Sequence, residues 1–215
     1  MDKKKWSRWE IALLFTPLTL LVTPFFARSL KQSDALRPAM ELFQQNEKAR
    51  RRSCQANQRS VFIALLQYTA DSDGKFPPAT SRQPKVVGWA DGLQPWIKCL
   101  TCYHCPKDKI IINGNASRAG YTSFWLNANL SGAPKSAVRF PASTFLLGEG
   151  SDGIDKTDAT YSKSSLPTSW LTDSNSPAFR HLGGANYLFV DGHVAWLKPD
   201  EATSCFGRSD CFAVR

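Results

Sequence analysis

The chain opens on an unbroken apolar run, continues with a helical stripe and closes on alternating strand segments. Residues 11–26 (Ile-Ala-Leu-Leu-Phe-Thr-Pro-Leu-Thr-Leu-Leu-Val-Thr-Pro-Phe-Phe) carry no charge. A tilted single membrane span needs about 17–25 residues, and Trp9 and Glu10 bring this run to the lower limit. Trp6 and Trp9 stand where interfacial aromatics belong. The basic Lys3-Lys4-Lys5 start would also suit a cleaved signal peptide. Phe25-Phe26-Ala27, however, lacks the small-x-small cleavage pattern, which favours an uncleaved anchor. Beyond it, Arg37-Pro38 predicts a kink or interruption, because the residue before a proline is driven out of the helical region. From 39 to 70 the period is helical: Cys54, Gln58, Val61, Leu65 and Tyr68 recur at steps of four, three, four and three, forming a narrow stripe. Glu47, Lys48, Arg50, Arg51, Arg52 and Arg59 take the remaining surface. Asp71-Ser72-Asp73-Gly74-Lys75-Phe76-Pro77-Pro78 ends the helix with turn formers, a glycine and two prolines.

Strand candidates follow at 85–89, 110–112, 123–126 and 144–147, and then comes a hairpin around Asp191-Gly192. Read as a two-residue type I′ turn, Asp191-Gly192 pairs Val190 with His193, Phe189 with Val194, Leu188 with Ala195 and Tyr187 with Trp196. Phe189, Val194, Tyr187 and Trp196 then share a face suited to packing on a helix. Residues 150–178, rich in Ser, Thr, Asp and Pro, read as one long loop.

Composition adds a compartment. At 215 residues and 42% hydrophobic content, one core is within reach and a second full domain is not expected. The net charge of +9 lies mostly in residues 1–60, where twelve Lys/Arg stand against five Asp/Glu, leaving +2 for the rest. The excess therefore sits at the membrane end and along one helix. Arg50-Arg51-Arg52 reads as a solvated or lipid-facing helix surface, and no nucleic-acid partner is expected. Six cysteines, Cys54, Cys99, Cys102, Cys105, Cys205 and Cys211, suit disulfides in an oxidising space, with the N-terminus cytoplasmic and the remaining domain outside.

Cys99-x-x-Cys102-x-x-Cys105 invites a metal, but zinc takes four ligands and only three thiols are closely spaced. His104 or Cys54 would have to complete the set, and disulfides are the preferred reading. A thiol redox enzyme would need a thioredoxin-like βαβ context that is missing around the motif. Asp71-x-Asp73-Gly74 resembles the start of a calcium loop. Lys75 and Arg82 fall where an EF-hand needs oxygen ligands, so a helix-ending turn is preferred, and calcium is the one cofactor left open. His181, His193 and Asp191 lack a nucleophile elbow beside them, and no catalytic residue is expected.

Several segments in order resemble a bacterial family of pilin-like, type II secretion pseudopilin-like proteins. They are the basic-Cys54-x-x-Asn57 segment leading to Asp73-Gly74 and Pro77, then Cys105-Pro106-Lys107-Asp108, then Pro141-Ala142-Ser143-Thr144 with Glu149. The last is Arg180-His181-Leu182-Gly183-Gly184-Ala185-Asn186, where His181 is followed by nine residues and Asp191-Gly192. The resemblance covers residues 49–198. It implies an α+β fold in which one long N-terminal helix, membrane anchor below and amphipathic stalk above, packs on a small antiparallel sheet. The division is 1–10 cytoplasmic, 11–26 anchor, 27–75 stalk and 76–215 extracytoplasmic. It implies a structural role for His181, Gly183, Gly184, Asn186, Asp191 and Gly192. It also implies a Cys54–Cys105 disulfide, leaving Cys99–Cys102 and Cys205–Cys211 as local pairs.

The implied function is non-enzymatic: a subunit or accessory of a secretion or pilus-like apparatus at the inner membrane, contacting other proteins in homo- or hetero-oligomers. A tethered ligand-binding domain, or a thiol or metal module at residues 99–105, are the alternatives. The N-terminus departs from pilin precursors. Glu10 is fifth from Trp6, but Lys5 rather than a glycine precedes it, and Arg8 interrupts the apolar run.

Overall fold

Helix α1 (Arg8–Asp71) precedes a sheet-containing region. The computed structural model describes residues 8–81, 85–204 and 211–214, with the side chains of α1 from residue 36 onward. The chain divides into two units, Met1–Asn46 and Glu47–Arg215. The expected membrane span, 11–26, lies outside the residues whose side chains are described. Among the described residues no helix is long and apolar enough to cross a membrane.

The helix is not broken at Arg37-Pro38. Proline removes one backbone donor, and the good helix formers that follow, from Ala39 to Leu42, allow the ladder to resume. The expected stripe is the buried one: Cys54, Gln58, Val61 and Leu65 are almost fully enclosed, and Tyr68 is half-buried. The helix ends as its sequence requires, with the Gly74 N–H reaching back to the Thr69 carbonyl at 2.8 Å and Gly74 at φ +73°. Asp71 and Asp73 are both exposed on this turn, and among the described residues neither falls in a cluster of ligand-type side chains.

The region is α+β, with a five-stranded mixed sheet in the order β3-β1-β2-β4-β5. Strands β1 (Phe124–Asn127), β2 (Phe145–Glu149), β4 (Ala185–Phe189) and β5 (Val194–Leu197) pair antiparallel. Strand β3 (Ser162–Lys163) runs parallel to β1, so the sheet is not wholly antiparallel. Residues 85–89 and 110–112 are not strands. The first leads into the short helix α2 (Trp89–Gly92), and Ile111 in the second is 87% exposed with no strand beside it. Residues 150–178 are not one loop, since they contain β3 and helix α3 (Thr168–Thr172).

The hairpin forms one residue out of the expected register. Leu188 pairs with Val194, Tyr187 with Ala195, Asn186 with Trp196 and Ala185 with Leu197. A type I′ turn needs positive φ at both central residues, and here only Gly192 has it, at +97°. Gly192 instead donates to the Phe189 carbonyl at 3.0 Å, and Phe189 donates to the His193 carbonyl at 2.9 Å. That is a three-residue loop with a glycine bulge.

One residue of slip exchanges the faces of one strand. Leu188, Val190 and Val194 face α1 with Val61, Ala64 and Leu65, while Tyr187 and Phe189 join Trp125, Phe145 and Phe212 on the far side. Trp196 stays on the helix side, under the Arg51 guanidinium. A bulge in β2 between Phe145 and Leu147 makes the same sorting, with Phe145 against Phe189 and Leu147 against Leu188.

Candidate functional site

Because side chains alternate along a strand, Glu149 shares the α1-facing side of β2 with Leu147, and Asn186 shares that of β4 with Leu188. Cys54, one helical turn before Gln58 on the buried stripe, meets them. Its thiol donates to Glu149 Oε1 at 2.8 Å across 95 residues of sequence. Cys105 arrives from a segment held by its own N–H on Ser123 Oγ at 3.2 Å. His181 sits at the tight turn before β4, where its N–H donates to the Gly184 carbonyl at 2.7 Å and its carbonyl accepts from Trp196 Nε1 at 2.6 Å. Leu182 and Gly183 both take positive φ in that turn.

The four side chains converge. His181 Nε2 lies 3.2 Å from Cys105 Sγ and 3.0 Å from Glu149 Oε1. One ligand atom from each of Cys54, Cys105, Glu149 and His181 falls within 4.8 Å of the others. None of the four is more than 2% exposed. Asn186 Nδ2 donates to Glu149 Oε1 at 2.6 Å, and Gln55 Nε2 fixes that amide through Oδ1 at 3.0 Å. Thus one carboxylate oxygen takes several donors, while Glu149 Oε2 and His181 Nδ1 find no hydrogen-bond partner among the described residues.

The charges oppose the burial. Desolvation pushes the Glu149 carboxyl up, but the His181 contact and the nearby Arg180 guanidinium outweigh it and hold it below the usual range. Desolvation likewise lowers His181, and its contacts with Cys105 and Glu149 more than reverse that. Burial raises the Cys54 thiol, whereas the neighbouring Cys54 side chain lowers Cys105. Arg180 is buried beside the cluster. It donates to the Ser151 carbonyl at 3.1 Å and lies 3.7 Å from Asp108.

This geometry is a poor nucleophile site. In a catalytic triad the carboxylate orients one imidazole nitrogen and the nucleophile uses the other. Here Nε2 makes both contacts, Nδ1 makes none among the described residues, and both cysteines are buried. What two thiols, an imidazole and a carboxylate aimed at one point can do is coordinate a soft-to-borderline cation.

The cysteines follow the expected pattern at Cys99–Cys102 and depart from it at Cys54 and Cys105. Cys99 and Cys102 are joined in a disulfide, and Cys211 is also disulfide-bonded, while Cys205 lies outside the described residues. Cys54 and Cys105 are not bridged; both are free and buried. The Cys54–Cys105 bond implied by the resemblance is therefore replaced by contacts of the two sulfurs with Glu149 and His181. Nor do residues 99–105 make one thiol cluster, because Cys105 turns inward while the other two are bonded to each other.

Of the other motif residues, Asp191 is paired with His193 at 2.6 Å, away from His181. Gly184 packs against Trp196, and Gly192 against Phe62 of α1. The sequence reading gave Glu149 no chemistry. Its signal was a carboxylate ending the apolar run Phe145-Leu146-Leu147-Gly148, since a charge in a buried strand needs a partner.

The fold and cluster define an α+β domain whose helix is pinned to a mixed sheet by a buried cysteine, histidine and glutamate set. Comparison with models of known families, with curated proteins and with solved structures finds no match to this chain.

Proposed function

We propose that this chain is a pilin-like structural protein, anchored at the inner membrane by residues 11–26, with its β-rich domain outside the cytoplasm. In this reading it serves as a subunit or accessory of a type II secretion or pilus-like apparatus. The observation that carries the reading is an apolar face left in the open on α1. Leu36, Met40 and Phe43, at steps of four and three, are 61%, 58% and 57% exposed. Large apolar side chains repeating on one helix face suit a contact with another helix. The fitting partner is the same segment of a second copy or of a related subunit. Further support comes from α1 itself, whose Val61, Ala64 and Leu65 are buried against the sheet, and from the enclosure of the chemically richest cluster away from substrate.

A photo-crosslinking residue placed at Met40, and separately at Phe43, tests this in membranes of intact cells. Protein adducts at both positions, abolished by Leu36→Asp, are expected. Adducts to lipid alone, or none, would overturn the assembly reading.

A further inference from the structure

We infer that Cys54, Cys105, Glu149 and His181 form a structural site for one divalent cation of the zinc type. Around zinc, bonds of about 2.0–2.3 Å set ligand atoms about 3.3–3.8 Å apart at the corners of a tetrahedron. The contacts here, 2.8 Å for Cys54 to Glu149, 3.0 Å for His181 to Glu149 and 3.2 Å for Cys105 to His181, need open by only a few tenths of an ångström or somewhat more. Two sulfurs, one nitrogen and one oxygen make a donor set that suits zinc rather than calcium or magnesium.

Without a cation, the Cys54 thiol, the Asn186 amide and His181 Nε2 all crowd one oxygen of a fully buried carboxylate, an arrangement that a cation at the same point would relieve. On binding, both thiols enter as thiolates and the imidazole as its neutral form, and the displaced protons leave to solvent. Arg180, close enough to interact with Glu149, Cys105 and Cys54, offsets part of the remaining negative charge.

All four ligands come from the protein and none is open to water, which marks a closed, structural site. Its ligands belong to α1, to the segment after the Cys99–Cys102 bridge, to β2 and to the turn before β4. One ion would therefore tie the helix to three parts of the domain. Asn186, fixed by Gln55, is the positioning residue that orients Glu149. The inference stands apart from anchoring and assembly, which crosslinking tests separately.

The full chain, purified in detergent without chelator from zinc-supplemented cells, is expected to hold one zinc. Peptide mapping should find Cys54 and Cys105 alkylated after denaturation in chelator, with Cys99–Cys102 still bridged. Exchange for Co²⁺ should give tetrahedral d–d bands and thiolate-to-cobalt charge transfer. Those bands should survive Cys99→Ser with Cys102→Ser and disappear in Cys54→Ser. Asn186→Ala should weaken zinc binding by about 10–100-fold without abolishing it. The wild-type cobalt spectrum decides the matter even where Cys54→Ser does not fold. A Cys54–Cys105 disulfide peptide overturns the inference. So do two free thiols in a protein that takes up neither zinc nor cobalt.

Discussion

The two faces of the sheet are covered by opposite means. On one side a regular helix supplies Val61, Ala64 and Leu65 against an aliphatic surface of Leu126, Leu146, Leu147, Leu188 and Val190. On the other side the cover is irregular: the region around β3 and α3, helix α4 (Pro199–Ser204) and the C-terminal segment with Cys211 and Phe212. That side is aromatic, with Phe145 stacked on Tyr187 at 4.6 Å and edge-on to Phe189 and Phe212.

A helix satisfies its own backbone, so its burial asks only for an apolar stripe. An irregular segment leaves backbone groups to be paired one by one. The side chains do this here. Asn127 Nδ2 donates to the Phe145 carbonyl, Ser176 Oγ to the Trp170 carbonyl, and Asp152 accepts from the Trp170 indole and from the N–H groups of Ile154 and Asp155. Gly148 belongs to the same design, because a Cβ there would lie 2.1 Å from the Trp125 ring.

The contrast can be broken most severely at its aromatic centre. Phe145→Ala should cost about 3–5 kcal/mol by urea unfolding, since the ring touches four aromatic neighbours and irregular segments close poorly over a cavity. A loss no larger than that of Leu65→Ala would make the two faces equivalent.

Gly192→Ala should cost about 1–2 kcal/mol, because φ is +97° and a Cβ would meet the Phe62 ring at 2.3 Å. Its signature is faster hydrogen exchange in β4 and β5 with the irregular cover unchanged. Asp152→Ala should cost about 1 kcal/mol through its lost hydrogen bonds. It should also open residues 150–178 to limited proteolysis while α1 keeps its exchange protection.

The smallest effect is electrostatic. Burial pushes Asp158 up, but the Lys156 ammonium at 2.7 Å and the Thr160 hydroxyl and N–H outweigh it and hold the carboxyl below its usual range. A carboxyl lower in the folded state binds fewer protons there than in the unfolded chain. Its stabilisation is therefore complete above about pH 4 and fades as pH falls through the lower folded value. Asp158→Asn should reduce stability at neutral pH and lose that difference in acid, as read from urea midpoints across pH.

Local patterns account for much of the helix-covered face. The stripe from Cys54 to Leu65, the helix-ending turn at Gly74, strands β1 and β2 and the existence of the terminal hairpin all follow from spacing and turn residues. The hairpin register did not follow, because Asp191-Gly192 suits both a two-residue turn and a glycine bulge. The choice fell to which face of β4 could meet α1. Strand β3 is only two residues long and exists because β1 offers it an edge. Ile110, Ile111 and Ile112 pair with no strand among the described residues, and apolar character alone does not make a strand without a partner.

The sequence by itself determined a long amphipathic helix, its end, the central strands and the presence of six cysteines with different neighbours. Periodicity and turn chemistry act over a few residues and are legible there. Only folding settled which thiols stay free, which face of the hairpin meets the helix, and that Cys54, Cys105, Glu149 and His181 share one buried point. Those outcomes depend on packing between segments far apart in the chain, where a shift of one residue in register exchanges buried and outward faces.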